Sequence, residues 1–174
     1  MRTAYPPMRR GRVTQLIYMF NIVVIFLAKY LLILPTLILG IYFLTQPRQI
    51  QKNILTFTIP SLLLTYLLGL LAGHLYYDPR PFVVGNFTPL IPHTPDNGFP
   101  SDHTLVVSAI AIIGSYLNWR LGVILWVLGL IVAAARVYIG LHHPIDVVGS
   151  LAIAVIATSA VFLFIKYVCH KEIS

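Results

Sequence analysis

The chain has 174 residues, 58% of them hydrophobic and 10% charged, with a net charge of +7. A soluble domain carries about a quarter charged residues, so this composition excludes a soluble globule, and the length suits one domain spanning residues 1–174. The basic residues are dispersed between apolar runs and form no stripe, which argues against nucleic-acid binding.

The N-terminal tail, residues 1–12, carries Arg2, Arg9, Arg10 and Arg12 ahead of an apolar run. That pattern resembles a signal peptide, but Leu27-Ala28-Lys29-Tyr30 makes a poor cleavage site, so the segment is expected to be retained. Six apolar segments follow: Val13–Ala28, Tyr30–Leu44, Ile54–Tyr77, Ser101–Trp119, Leu121–Leu141 and Ile145–Tyr167. They are continuous rather than alternating, and hydrocarbon admits helices or closed barrels. The expected fold is an all-α, polytopic membrane bundle. It has six transmembrane helices if Val13–Ala28 crosses, and five if that segment lies in the interface. A single cysteine, Cys169, excludes an internal disulfide and a Cys-rich metal site.

The polar residues are concentrated. Of five acids, four (Asp78, Asp96, Asp102 and Asp146) fall between His74 and Asp146, together with His74, His93, His103, His142 and His143. Alternating crossings bring the loop 78–100, the start of the fourth segment and the end of the fifth to one membrane face. Arg48, Lys52, Arg120, Lys166 and Lys171 go to the other face, which the positive-inside rule assigns to the cytoplasm. The reactive face is therefore expected to open outward.

Three stretches carry the chemistry: YYDPRPF (Tyr76–Phe82), GFPSDHT (Gly98–Thr104) and ARVYIGLHHPIDVVGS (Ala135–Ser150). Arg136 closes an apolar helix, where a cation either faces a polar site or snorkels to the interface. Arg80 is either a fixed loop cation or a topology charge. Together the two guanidiniums suit a phosphate. Pro100, Ser101 and Asp102 read as a helix start, leaving His103 unexplained; free N–H groups at such a start also bind phosphate oxygens. Pro144 at the first helical position puts Asp146 third, able to reach back toward His142. Such a pair is either a capping hydrogen bond or an oriented nucleophile. The His–Asp clustering also raises a metal site, but the spacings match no HExxH-type pattern and the cluster lacks glutamate. A transport path would use intramembrane charge as well, without needing His103 and a His–Asp pair beside two arginines.

Arg80-Pro81, Pro100-Ser101-Asp102-His103 and Arg136-x5-His142-x3-Asp146 together resemble the three-part signature of the type 2 phosphatidic acid phosphatase superfamily. PRPF, LIPH and FPSDHT resemble its bacitracin-resistance branch, the undecaprenyl-diphosphate phosphatases. The resemblance implies a lipid-diphosphate phosphatase of the bacterial cytoplasmic membrane, acting on a polyprenyl diphosphate at the outer face and needing no metal or cofactor; the alternative is a phosphatase or phosphotransferase acting on another lipid phosphate, phosphatidic acid or phosphatidylglycerophosphate. It implies His142 as the nucleophile, Asp146 as its orienting carboxylate and His103 as the acid for the leaving group. Arg80, Ser101 and Arg136 would hold the phosphoryl oxygens. Asp102 stands among them where the superfamily usually has glycine, and His93 would be a loop contact to substrate. Two further departures are Gly73, where a lysine is common outside this branch, and Ala135, where a serine is common.

Overall fold

Without water to bond to, a chain in hydrocarbon must satisfy its own backbone, and every apolar run here does so as helix. The structure, a computed structural model, describes residues 10–167. The expectations for Arg2, Arg9, Cys169 and Lys171 lie outside the described residues. In chain order the helices are α1 (Arg10–Tyr30), α2 (Ile33–Leu44), α3 (Arg48–Leu75), the single turn α4 (Pro81–Val84), α5 (Asp102–Leu117), α6 (Trp119–Tyr138) and α7 (Pro144–Tyr167). Four of them, α1, α3, α6 and α7, are long and apolar enough to cross a membrane; α2 and α5, of 12 and 16 residues, are shorter apolar helices. Among the described residues, extended pairing is limited to one isolated bridge between Pro79 and Asn97.

Each predicted segment is a helix, with boundaries that shift by three residues at most except at one place. The third helix begins at Arg48 rather than Ile54, because the polar turn Arg48–Asn53 continues the helix beyond its apolar stretch.

The centre of the bundle is α5, which packs against α2, α3, α6 and α7. Lipid tails are as apolar as leucine, so close packing and interhelical hydrogen bonds hold such helices together. The α5–α6 hairpin turns on Asn118, whose side-chain oxygen accepts from the backbone N–H of Arg120 at 2.9 Å and of Leu121 at 3.2 Å. Just beyond it the backbones nearly touch: a Cβ on Gly122 would stand 2.6 Å from Ser115 Cα, so no larger residue fits. Polar links add to the packing, with Trp126 Nε1 donating to Ser115 Oγ at 3.2 Å and Ser150 Oγ donating to the Ser101 carbonyl at 3.0 Å. Phe57 of α3 meets Tyr116 edge-on, and Tyr116 stacks on Phe162 of α7 with centroids 4.0 Å apart.

That aromatic stack joins the start of α3 to the end of α7. The opposite end of the bundle gathers the end of α3, the start of α5, the end of α6 and the start of α7. Arg48, Lys52, Arg120 and Lys166 therefore share one end, and the three motif stretches share the other. Helix α1 rests on α6: Val24 and Ala28 pack against Ala135, Ile139 and Leu141, and Tyr138 donates to Asn21 Oδ1 at 3.0 Å. Leu16, Ile17 and Met19 of α1 face outward.

Candidate active site

The loop that follows α3 is fixed by one asparagine. Asn97 Oδ1 accepts from the backbone N–H of Asp78 at 2.9 Å and of Phe99 at 3.0 Å. Its Nδ2 donates to the carbonyls of Gly73 at 2.8 Å and Tyr76 at 3.0 Å. A helix end leaves carbonyls without partners, and Asn97 serves them while pinning the far end of the loop. The Gly98 N–H donates to the Asp78 carbonyl at 2.8 Å, which turns the Gly98 carbonyl toward α7. A Cβ on Gly98 would lie 3.0 Å from Asp146 Oδ2, so the loop approaches that carboxylate as closely as a bare backbone allows.

The α6–α7 connection supplies the second part. Gly140 takes φ +80°, a left-handed turn that glycine adopts without strain. Pro144 opens α7, and Asp146, its third residue, accepts from the His143 N–H at 2.8 Å through Oδ2. The same oxygen lies 3.4 Å from Nδ1 of His142, while the Gly98 carbonyl lies 2.9 Å from that nitrogen. On the far side of the ring, Nε2 lies 3.2 Å from Arg136 Nη2 and 3.5 Å from Arg80 Nη1. Guanidinium groups only donate, so Nε2 must carry the lone pair and Nδ1 the proton. The predicted trio of Arg80, Arg136 and His142 therefore meets in space, with Asp146 behind it.

All four residues are buried: Arg80 is 6% exposed, Arg136 7%, His142 3% and Asp146 0%. Burial pushes the His142 pKa down from its usual value, and the charges of Arg136 and Arg80 push the same way, against the pull of Asp146 and the Gly98 carbonyl. The imidazole is thus held neutral, the state in which a nitrogen can act as a nucleophile.

Arg80 is itself held in place. Nη1 donates to the Leu141 carbonyl at 3.0 Å, and Nε pairs with Asp96, whose other oxygen accepts from Thr94. Burial alone would raise the Asp96 pKa, but its hydrogen bonds from Arg80 and Thr94 outweigh that and leave it below the usual carboxylate range. Arg136 retains a buried Nε–H without a partner.

At the start of α5 the arrangement differs from the expected cap. Ser101 precedes the first helical residue, but its side chain makes no capping bond; its Oγ accepts from Thr104 Oγ1 at 3.2 Å. Pro100 lies outside the helix, and Asp102 is its first residue. Asp102 is exposed and His103 half-buried, and His103 lies within electrostatic reach of Arg136, Asp102, His142 and His93. His93 stays on the exposed loop, with Nδ1 3.8 Å from Asp96. Position 73 faces the backbone of Phe99, whose carbonyl oxygen would lie 3.0 Å from an added Cβ, so a lysine there would have to displace the loop. Among the described residues, no three His, Cys, Asp or Glu side chains converge as a metal site.

Four residues that the motifs did not single out for the site belong to it. Asn97, Gly98 and Asp96 act through bonds to residues distant in sequence, and Asp78 contacts Asp146. The Asn97-Gly98 dipeptide is a turn signal, but nothing local says which groups it reaches.

Residues 54–168 match the PAP2 superfamily. The chain is 36% identical over 148 residues to a protein of Bacillus subtilis (strain 168) named undecaprenyl-diphosphatase BcrC, covering 83% of this chain and 73% of that one. It is 34% identical over 153 residues to the putative undecaprenyl-diphosphatase YbjG of Escherichia coli (strain K12), covering 84% and 74%. The fold is similar to the crystal structure of Aquifex aeolicus LpxE, with a TM-score of 0.64 at 22% identity over 84% of this chain and 86% of that one. With signature, fold and relatives in agreement, this multi-pass membrane chain belongs to the PAP2 superfamily.

Proposed function

We propose that the protein is an integral-membrane phosphatase that hydrolyses undecaprenyl diphosphate to undecaprenyl phosphate through a phosphohistidine on His142. The observation that carries this reading is the polarity of the His142 ring: Nδ1–H is anchored to Gly98 and Asp146, and Nε2 faces two buried guanidiniums. The names of the relatives from Bacillus subtilis and Escherichia coli supply the lipid diphosphate.

The terminal phosphoryl group binds between Arg80 and Arg136, whose forked donors match its oxygens, and the unpartnered Nε–H of Arg136 finds an acceptor there. The Nε2 lone pair attacks the terminal phosphorus. The bond from phosphorus to the bridging oxygen breaks, and the electron pair leaves with undecaprenyl phosphate. His103 donates a proton to that oxygen; the bound diphosphate's negative charge favours its imidazolium form. The phosphorylated ring keeps its Nδ1 proton and is cationic, and Asp146 stabilises that charge. Water then attacks the phosphorus, giving its proton to His103 as the N–P bond breaks. Inorganic phosphate departs, and both histidines return to their starting states.

An apolar groove of about 340 Å³ between α3 and α5, lined by Leu62, Thr65, Tyr66, Asp102, Leu105 and Val106, leads away from the start of α5. It offers the first isoprene units a path into the bilayer. The positive-inside rule favours placing the end with Arg48, Lys52, Arg120 and Lys166 in the cytoplasm, so the site opens to the outer face of the bacterial cytoplasmic membrane. With α1 crossing, Arg10 and Arg12 join the cytoplasmic charges and the chain makes six crossings.

The test is phosphate release by purified protein in detergent, with EDTA present, from undecaprenyl diphosphate, short prenyl diphosphates, phosphatidic acid and phosphatidylglycerophosphate. Release from undecaprenyl diphosphate ahead of the others is expected. Preference for a monophosphate lipid would overturn the substrate assignment, and inhibition by EDTA would overturn the metal-free route.

A further inference from the structure

Asp78 has no part in the steps above, yet its side chain is committed to the site. Its backbone is fixed at both ends, the N–H donating to Asn97 Oδ1 at 2.9 Å and the carbonyl accepting from Gly98 at 2.8 Å. Its Oδ2 is buried and meets no N–H or other donor, and the same is true of Oδ1 on Asp146. The two carboxyl groups lie close enough for their oxygens to share a proton.

Two carboxylates have no proton to share, and two bare anions in contact, Asp146 fully buried and Asp78 with its Oδ2 buried, would repel each other away from water. One must be a carboxylic acid. Asp146 uses its other oxygen to accept from the His143 N–H and to face Nδ1–H of His142, and both contacts favour the anion. The proton therefore belongs on Asp78.

We propose that Asp78 is a positioning residue, a neutral carboxylic acid whose O–H donates to Asp146 Oδ1 and locks that carboxylate in the orientation that anchors His142. The inference rests on the phosphohistidine reading for its effect on rate, though not for the location of the proton. Burial, then the hydrogen bond and charge of Asp146, push the Asp78 pKa up, with His143 opposing. The charged and titratable groups around it are Asp146 on α7, His143 in the α6–α7 turn and, behind Asp146, His142. Arg80, two residues along, is turned to Asp96, Leu141 and His142 instead.

The consequence is an alkaline limb. When Asp78 ionises, it loses the O–H that Asp146 accepts and adds a second negative charge beside it, so the anchor of His142 loosens. The test compares full-length wild type, Asp78→Leu and Asp78→Asn in detergent, measuring phosphate release from undecaprenyl diphosphate across pH. Leucine should lower kcat/KM at neutral pH by about 10- to 100-fold, the range for losing a hydrogen bond to a buried charge. Asparagine, whose amide can still donate, should recover most of that loss, leaving the alkaline limb to His103 alone.

Infrared spectroscopy adds a readout independent of turnover. Wild type minus Asp78→Asn should show the C=O band of a protonated carboxylic acid at neutral pH. A band without turnover would sink the functional reading and leave the proton on Asp78. No band, or an asparagine variant as impaired as leucine, would overturn the proposal.

Discussion

The carbonyl of Gly98 accepts from Nδ1 of His142 at 2.9 Å, across 44 residues of sequence. That bond occupies the ring nitrogen nearer Asp146 and leaves Nε2 aimed between Arg136 and Arg80. In the proposed mechanism the loop thus orients the nucleophile through a backbone oxygen that no substitution removes directly. Side chains around that contact can be changed, and their expected effects differ in kind.

Replacing Arg136 or Arg80 by lysine keeps the charge and removes the planar fork. Each should lower kcat/KM by about 10²-fold, since a point charge does not replace bidentate donation. Steady-state phosphate release measures this; a lysine variant with wild-type kcat/KM would show that charge alone suffices.

The pH dependence has a definite sign. Burial and two guanidiniums hold the His142 pKa below its usual value, and in the proposed mechanism the neutral ring is the nucleophile. The acid limb of kcat/KM should therefore lie below the ordinary histidine value of about 6.5. Arg80→Gln removes one lowering charge, so the acid limb should move up as the rate falls. For stability the same shift works through the unfolded chain, which takes up the proton first. His142 thus contributes stability above the unfolded value that is lost as pH falls toward the folded one.

Asp96 pairs with Arg80 from an exposed loop and touches no reacting atom in the proposed mechanism. Exposed pairs are worth about 1 kcal/mol or less, so Asp96→Ala should reduce kcat/KM by roughly fivefold, by that measure. The loss should fall mainly on KM, because in the proposed mechanism Arg80 binds the phosphoryl group throughout. A kcat effect with unchanged KM would place Asp96 in the chemistry instead.

Asn97 should matter for stability more than for chemistry. Asn97→Ala removes four hydrogen bonds and leaves the Gly73 and Tyr76 carbonyls without that partner. At about 1 kcal/mol per bond, the cost should be roughly 2–4 kcal/mol, read as a lower Tm in detergent. Asn97→Asp keeps the acceptor and loses both donors, so it should fall between alanine and wild type.

These contrasts follow what the sequence exposes. The apolar runs announce every long helix, because a bilayer demands about 20 apolar residues at a time. The spacing Arg136-x5-His142-x3-Asp146 is local, so a helix end and the first turn of α7 carry it directly into geometry. Arg80 and His103 are legible as motif residues, although their convergence with His142 depends on helix packing. Asn97, Gly98, Asp96 and Asp78 are not legible, since they act across 16 to 68 residues of chain and leave no periodic trace. Ser101 shows the opposite case: it has the composition of a cap, but its buried hydroxyl oxygen accepts from Thr104 instead.

The most direct measurement is a rapid-quench turnover with undecaprenyl diphosphate labelled in its terminal phosphate. The account predicts a transient, acid-labile and base-stable label on His142, absent from a His142→Gln variant whose turnover falls by about 10⁴-fold or more, as when a nucleophile is removed. No trapped label, with near-normal turnover by that variant, would contradict it.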